Sequence, residues 1–133
     1  MLRTPAPIVF ATSLLLSAAL LFSVQLVIGK MVLPVLGGTP AVWNTCLFFF
    51  QAALLVGYLL AHLISSRLPS TAGRFLFPVL LLIGLLWLPF AMPAGVDSAA
   101  QSPVLWLLRY LSLTVGIPFV TLACTAPLLQ RWF

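Results

Sequence analysis

The chain has 133 residues, of which 63% are hydrophobic and 5% charged, with six Lys or Arg and a single acidic residue. A soluble domain carries about a quarter charged residues and a disordered chain needs low hydrophobicity, so this composition excludes both classes. The net charge of +5 comes from single basic residues scattered between apolar runs. Such residues are typical of membrane orientation signals, so we expect no nucleic-acid partner.

The first predicted element is a transmembrane helix over residues 8–28. Thirteen of its 21 residues are Leu, Ile, Val or Phe, which together favour insertion by roughly 4 to 8 kcal/mol. The apolar region of a cleaved signal peptide is only about 7–15 residues long, so the run predicts a retained signal anchor. Gly29 and Lys30 are expected to end this helix. The stretch Met31–Thr39, which contains Pro34, is expected to be irregular.

A second helix is predicted over residues 40–64. Thr39 is a good N-cap, and Pro40 suits the first helical position. Three small residues recur every fourth position inside this helix, which predicts close packing against another helix. These packing residues are Ala53, Gly57 and Ala61.

Two further helices are predicted over residues 75–92 and 103–126. Ser102 followed by Pro103 again indicates a cap and a first-turn proline. Gly116 and Pro118 interrupt the last helix, and they predict a kink that could act as a hinge.

These elements predict an all-α, polytopic membrane protein with four transmembrane helices in one membrane domain, residues 1–133. The topology follows from counting basic residues in short loops, because Lys and Arg favour the cytoplasmic side. Four basic residues then lie on one side of the membrane, and Lys30 and Arg109 lie on the other. We therefore expect both termini in the cytoplasm of a bacterial cell whose inner membrane holds the chain. The four residues are Arg3, Arg67, Arg74 and Arg131.

The sequence contains no motif that carries catalysis or binds a cofactor. There is no Glu, and the single Asp97 and the single His62 lie in different parts of the chain. A proton-coupled exporter ordinarily needs a carboxylate inside the membrane, and none is present in these segments. Cys46 and Cys124 have no metal-ligand spacing and are interpreted as buried thiols. We therefore expect no enzyme activity, no cofactor and no metal site in this chain.

Four polar residues in or beside the apolar segments leave a second hypothesis open: Gln25, Lys30, Gln51 and Arg109. They are candidates for a polar path through a small-solute transporter or channel subunit. Interhelical hydrogen bonds would explain the glutamines equally well, and snorkelling would explain the basic residues. A third hypothesis is an assembly subunit without a ligand, in which only the small-residue stripe matters. In every case we expect the partners to be the lipid bilayer and other membrane helices.

The stretch from Lys30 to Gln51, KMVLPVLGGTPAVWNTCLFFFQ, resembles a hallmark of bacterial fused proteins. In that family a multi-pass membrane region precedes a spermidine-synthase-like domain. The dipeptides Gly57-Tyr58 and Ala61-His62 are also similar. So is the C-terminal region, with VGIP at residues 115–118 and APLLQRWF at residues 126–133.

The resemblance implies further membrane helices and a cytoplasmic Rossmann-like domain after Phe133. In aminopropyltransferases that domain holds the site for decarboxylated S-adenosylmethionine and the acidic residues for the polyamine. None of those positions lies in this chain, so no catalytic residue is carried over. The chain is expected to be an N-terminal fragment or module that anchors or serves the enzyme domain.

Overall fold

A computed structural model describes residues 6–67, 69–87 and 102–132, in which six α-helices are found. No strand occurs in these ranges, so the predicted all-α class is confirmed. The helices are α1 (Ala6–Leu36), α2 (Pro40–Arg67), α3 (Ser70–Leu86), α4 (Pro103–Thr114), α5 (Gly116–Ala123) and α6 (Thr125–Trp132).

Two helices are long and apolar enough to cross a membrane, namely Pro7–Leu36 within α1 and the whole of α2. A third candidate arises if Pro103–Thr114 and Gly116–Arg131 count as one span that is bent by 61°. Helix α3 has 17 residues, or about 26 Å, less than the roughly 30 Å of a hydrocarbon core. The described residues therefore hold two or three candidate spans, where the sequence predicts four. The predicted end of the third helix, residue 92, lies outside them.

The first helix does not end at Gly29-Lys30, contrary to the prediction. It continues through both residues to Leu36. Ile28 and Val32 lie one turn apart and are each only 1% exposed, on either side of the predicted end. Packing of this face sustains the helix where local propensity alone would end it, because tertiary contacts supply most helical stability.

The actual end of α1 is set by Gly37, whose φ of 78° is a left-handed conformation that favours glycine. Pro34 lies in the last turn of the helix, where its missing N–H removes a single intrahelical bond. The turn that follows brings Trp43 of α2 back against Gly29. A Cβ added at Gly29 would lie 3.2 Å from the Trp43 ring, so a larger residue there would press on the α1–α2 pair.

Two predicted helix starts agree with the structure. Helix α2 begins at Pro40, and the carbonyl oxygen of Thr39 accepts hydrogen bonds from the N–H groups of Val42 and Trp43 at 3.1 and 3.3 Å. Helix α4 begins at Pro103, and the hydroxyl of Ser102 accepts a bond from the N–H of Leu105 at 3.4 Å. Both starts place a proline first in the helix, where its absent N–H would have had no partner. Of the two predicted caps, only Ser102 makes a side-chain cap bond.

Other boundaries differ from the prediction. Helix α2 continues beyond residue 64 to Arg67, and α3 begins at Ser70 instead of residue 75. The segment predicted as one helix over 103–126 is divided at Val115 and at Cys124. Helix α6 then places Pro127 within its first turn, where a proline costs no hydrogen bond.

Helices α2 and α5 form the centre of the bundle, since each of them contacts all the other helices. Their aromatic residues meet there, with 4.9 Å between the ring centroids of Phe50 and Phe119. The buried core contributed by α2, α4, α5 and the break between them includes Val42, Cys46, Phe49, Phe50, Ala53, Leu107, Tyr110, Leu111, Val115, Phe119 and Ala123.

Candidate functional site

The helical backbone is interrupted between α4 and α5, at the bundle centre. This break lies at Val115, directly before Gly116, and it separates two helical pieces that meet at 61°. Pro118 lacks an N–H, so the carbonyl of Thr114 loses the donor that a continuous helix would provide. The break thus lies at the predicted kink, while motion about it stays a prediction.

Helix α3 is tied to this break by a side chain. The indole Nε1–H of Trp87, at the C-terminal end of α3, donates a hydrogen bond to the carbonyl oxygen of Leu113 at 3.0 Å. That carbonyl lies in the last turn of α4, where helical partners are lost. Trp87 therefore supplies a donor to the backbone beside the break, and it fixes α3 to α4.

An apolar groove of about 360 Å³ lies between α1, α3 and α5. The helices approach closely at one edge, where the backbone of Gly84 abuts the side chain of Thr121. The Thr121 hydroxyl is already engaged, since it donates to the carbonyl of Pro118 at 2.9 Å. The groove therefore offers a ligand almost only apolar contact. It is lined by Leu20, Val24, Leu81, Gly84, Leu85, Pro118, Phe119, Thr121 and Leu122.

A second apolar groove, of about 390 Å³, separates α2 from α4 and α5. Small residues form part of its wall, which leaves room beside the break. Its lining comprises Phe48, Phe49, Ala52, Ala53, Val56, Leu108, Ser112, Gly116 and Val120.

The predicted small-residue stripe of α2 faces the bundle centre. Ala53, Gly57 and Ala61 are all buried. A Cβ added at Gly57 would lie only 2.6 Å from the Cβ of Ala123 in α5. The thiol of Cys124 donates to the carbonyl oxygen of Gly57 at 3.1 Å. The absence of a side chain at residue 57 therefore allows α5 to lie against the α2 backbone.

The four polar residues predicted to line a path lie on three different helices. Gln25 is half-buried on α1, whereas Lys30, Gln51 and Arg109 are exposed on α1, α2 and α4. None of them lines either groove. The structure therefore does not gather them into either of these two cavities.

The remaining reactive side chains are also dispersed. Cys46 and Cys124 are free and buried, and His62 is exposed on α2. Across residues 6–67, 69–87 and 102–132, no group of three or more His, Cys, Asp or Glu is placed to hold a metal ion. Asp97 lies outside the described residues.

Two buried hydroxyls were not identified from the sequence. Ser17 on α1 and Thr125 on α6 are 4% and 7% exposed, and neither hydroxyl has a hydrogen-bond partner in the structure. The usual solution in a helix is a bond to a carbonyl in the preceding turn, as Thr45 makes to Ala41 at 2.8 Å. The residue types gave no signal, because burial depends on how α1 and α6 pack.

No family model, curated protein or solved structure matches this chain. Its function is therefore inferred from its own residues and their arrangement.

Proposed function

We propose that the chain is a non-catalytic integral membrane module that anchors or serves an enzyme domain of the spermidine-synthase-like type. Support for the membrane location comes from the outward sides of the long helices, which are rich in large apolar residues. Leu15, Phe22 and Leu59 are 71%, 62% and 55% exposed, respectively. Such surfaces are stable against lipid tails, which are as apolar as these side chains.

The observation that carries the enzyme-module proposal is the packing of the two stretches that resemble the fused family. Residues 30–51 and residues 115–118 are far apart in sequence, yet they meet at the bundle centre. A Cβ added at Gly116 would lie 3.9 Å from the Phe49 ring, and Phe119, which follows the second stretch, packs on Phe50. Shared motifs that specify one packed unit are expected to occur together in such a module.

The proposed topology has four crossings, with α3 as the third and the bent α4–α5–α6 segment as the fourth. Both termini would then face the cytoplasm of a bacterial cell, with the chain in the inner membrane. The exposed Arg67 at the end of α2 and Arg131 in α6 support this orientation, because basic residues favour the cytoplasmic side.

In this proposal, the enzyme reaction takes place in the domain that follows the membrane helices. The module contributes position, since a membrane anchor confines the enzyme to the surface where its substrate or product crosses.

The first test is the reading frame beyond the Phe133 codon, together with the intact mass of the native protein. We expect the frame to continue into a soluble domain with a glycine-rich nucleotide loop, and the protein to stay in the membrane pellet after an alkaline carbonate wash. A stop codon after Phe133 with a native mass near 14.4 kDa would overturn the enzyme-module proposal.

A further inference from the structure

One face of α2 lies opposite the side that packs into the bundle, and of its residues Phe48 alone also lines the second groove. The six residues of this face follow one another at alternating intervals of four and three positions along the chain, and all six are exposed. The buried residues of the same helix, including Cys46, Phe50 and Gly57, lie on the other side. We call this face the outer seam. It consists of Asn44, Phe48, Gln51, Leu55, Tyr58 and His62.

Four of the six residues in the outer seam are polar, although α2 is long and apolar enough to cross a membrane. Gln51 lies about 4 Å along the axis from the middle of the helix, and Tyr58 about 7 Å, at 1.5 Å per residue. Both therefore fall within a hydrocarbon core of roughly 30 Å. Within the described part of the chain, none of the four polar side chains forms a hydrogen bond.

An unpaired amide that faces lipid is unfavourable, because hydrocarbon offers no hydrogen-bond partner. Polar residues in membrane helices accordingly face other protein, and Asn, Gln and His bond across helix pairs. The five intervals cover 18 residues, a period of 3.6 residues, so the series stays on one face along the whole helix. The polarity of this face therefore indicates a helix–helix interface.

We propose that the outer seam binds the outer seam of a second copy of this chain. The seam is self-complementary, because the amides of Asn44 and Gln51 and the side chains of Tyr58 and His62 each contain a donor and an acceptor. It is also free of Lys, Arg and Asp in a chain of net charge +5, so two copies meet without charge repulsion.

The membrane also fixes the geometry of this dimer. Two copies share one orientation in the bilayer, so their α2 helices are parallel and related by a two-fold axis along the membrane normal. Gln51 then faces Gln51 of the second copy, as a single amide does when it fixes the register of a parallel coiled coil. This inference requires only that α2 crosses the membrane, so it goes beyond the enzyme-module proposal and does not depend on it.

The dimer is tested by single-molecule photobleaching of the native protein in lipid vesicles at decreasing protein-to-lipid ratio. We expect Gln51→Leu to weaken association roughly three- to eightfold, the effect of losing one or two interhelical hydrogen bonds. Gln25→Leu makes the same chemical change on α1, away from the outer seam, and should leave association unchanged. A monomer at every ratio, or equal effects of the two substitutions, would overturn the proposal.

Cysteine cross-linking distinguishes this interface from others, in a background with Cys46→Ala and Cys124→Ala. Single cysteines at positions 48, 51, 55 and 58 should form intermolecular disulfides on mild oxidation, whereas those at positions 52 and 56 should not. Maximal cross-linking off the seam, or pairing of α2 only with a different protein, would contradict the proposal. A dimer with a native mass near 14.4 kDa per chain would overturn the enzyme-module proposal alone.

Discussion

Gly37 and Gly38 are neighbours in the α1–α2 turn, and a Cβ added at either would meet nothing within 4 Å. Only Gly37 has a positive φ, of 78°. We expect Gly37→Ala to destabilise the protein by about 1–2 kcal/mol, the cost of a left-handed conformation for a residue with a Cβ. Gly38→Ala is the matched control and should be close to neutral. Unfolding in mixed detergent micelles measures both, and equal effects would contradict the backbone explanation.

Gly57 illustrates a different role, in which the missing side chain makes room for a neighbouring helix. Gly57→Leu should separate α2 from α5, because a Cβ at this position would already lie 2.6 Å from that of Ala123. Overpacking of this kind costs about 1–3 kcal/mol. The Cys124 thiol bonded to the Gly57 carbonyl reports the separation.

The rate at which N-ethylmaleimide modifies Cys124 should therefore rise in Gly57→Leu, measured with Cys46→Ala to leave one thiol. Ala52→Leu, on an exposed position of the same helix, should leave the rate unchanged. An unaltered rate in Gly57→Leu would show that α5 does not depend on this close approach.

At the scale of helices, the hydrogen bond from Trp87 to the Leu113 carbonyl connects α3 to the break that follows α4. Trp87→Phe retains an aromatic ring and removes the donor, at a cost of about 0.5–1.5 kcal/mol. Amide hydrogen exchange over residues 114–117 should accelerate roughly two- to tenfold. Trp106→Phe is the matched control, because it makes the same substitution at a ring that is not the donor to Leu113. Trp106 instead stacks on Tyr110, with 5.4 Å between the ring centroids. If both variants exchange alike, the indole bond does not stabilise the break.

Some of the helix boundaries could be predicted from the sequence, and others could not. The starts of α2 and α4 were predictable, because a cap and a first-turn proline act within one turn. The break near Gly116 was predictable for the same reason. The end of α1 was not, since Gly29 and Pro34 weaken a helix locally while Ile28 and Val32 hold it through packing. The seven-residue spacing of Asn44, Gln51 and Tyr58 is visible in the sequence, but the face that points outward depends on how α2 packs.

For the whole molecule, α3 decides the topology. If α3 crosses the membrane with α1, α2 and the bent segment, the number of crossings is even and both termini share one side. If α3 lies at the interface, three crossings place the termini on opposite sides. We expect fluorescence from green fluorescent protein fused at either terminus, because it folds on the cytoplasmic side. Alkaline phosphatase inserted at Gly38 should be active, as the matched external control. A fluorescent N-terminal fusion with a dark C-terminal fusion would contradict four crossings.

Helix α5 has eight residues, about 12 Å, and yet it contacts every other helix of the bundle. Such a segment is too short to enter a bilayer as an independent unit, whereas α1 and α2 are long enough to do so. During synthesis, α1, α2 and α3 leave the ribosome before α5. The helices that α5 packs against are therefore synthesised first, with the exception of α6, so the surface that α5 needs is already present when it leaves the ribosome.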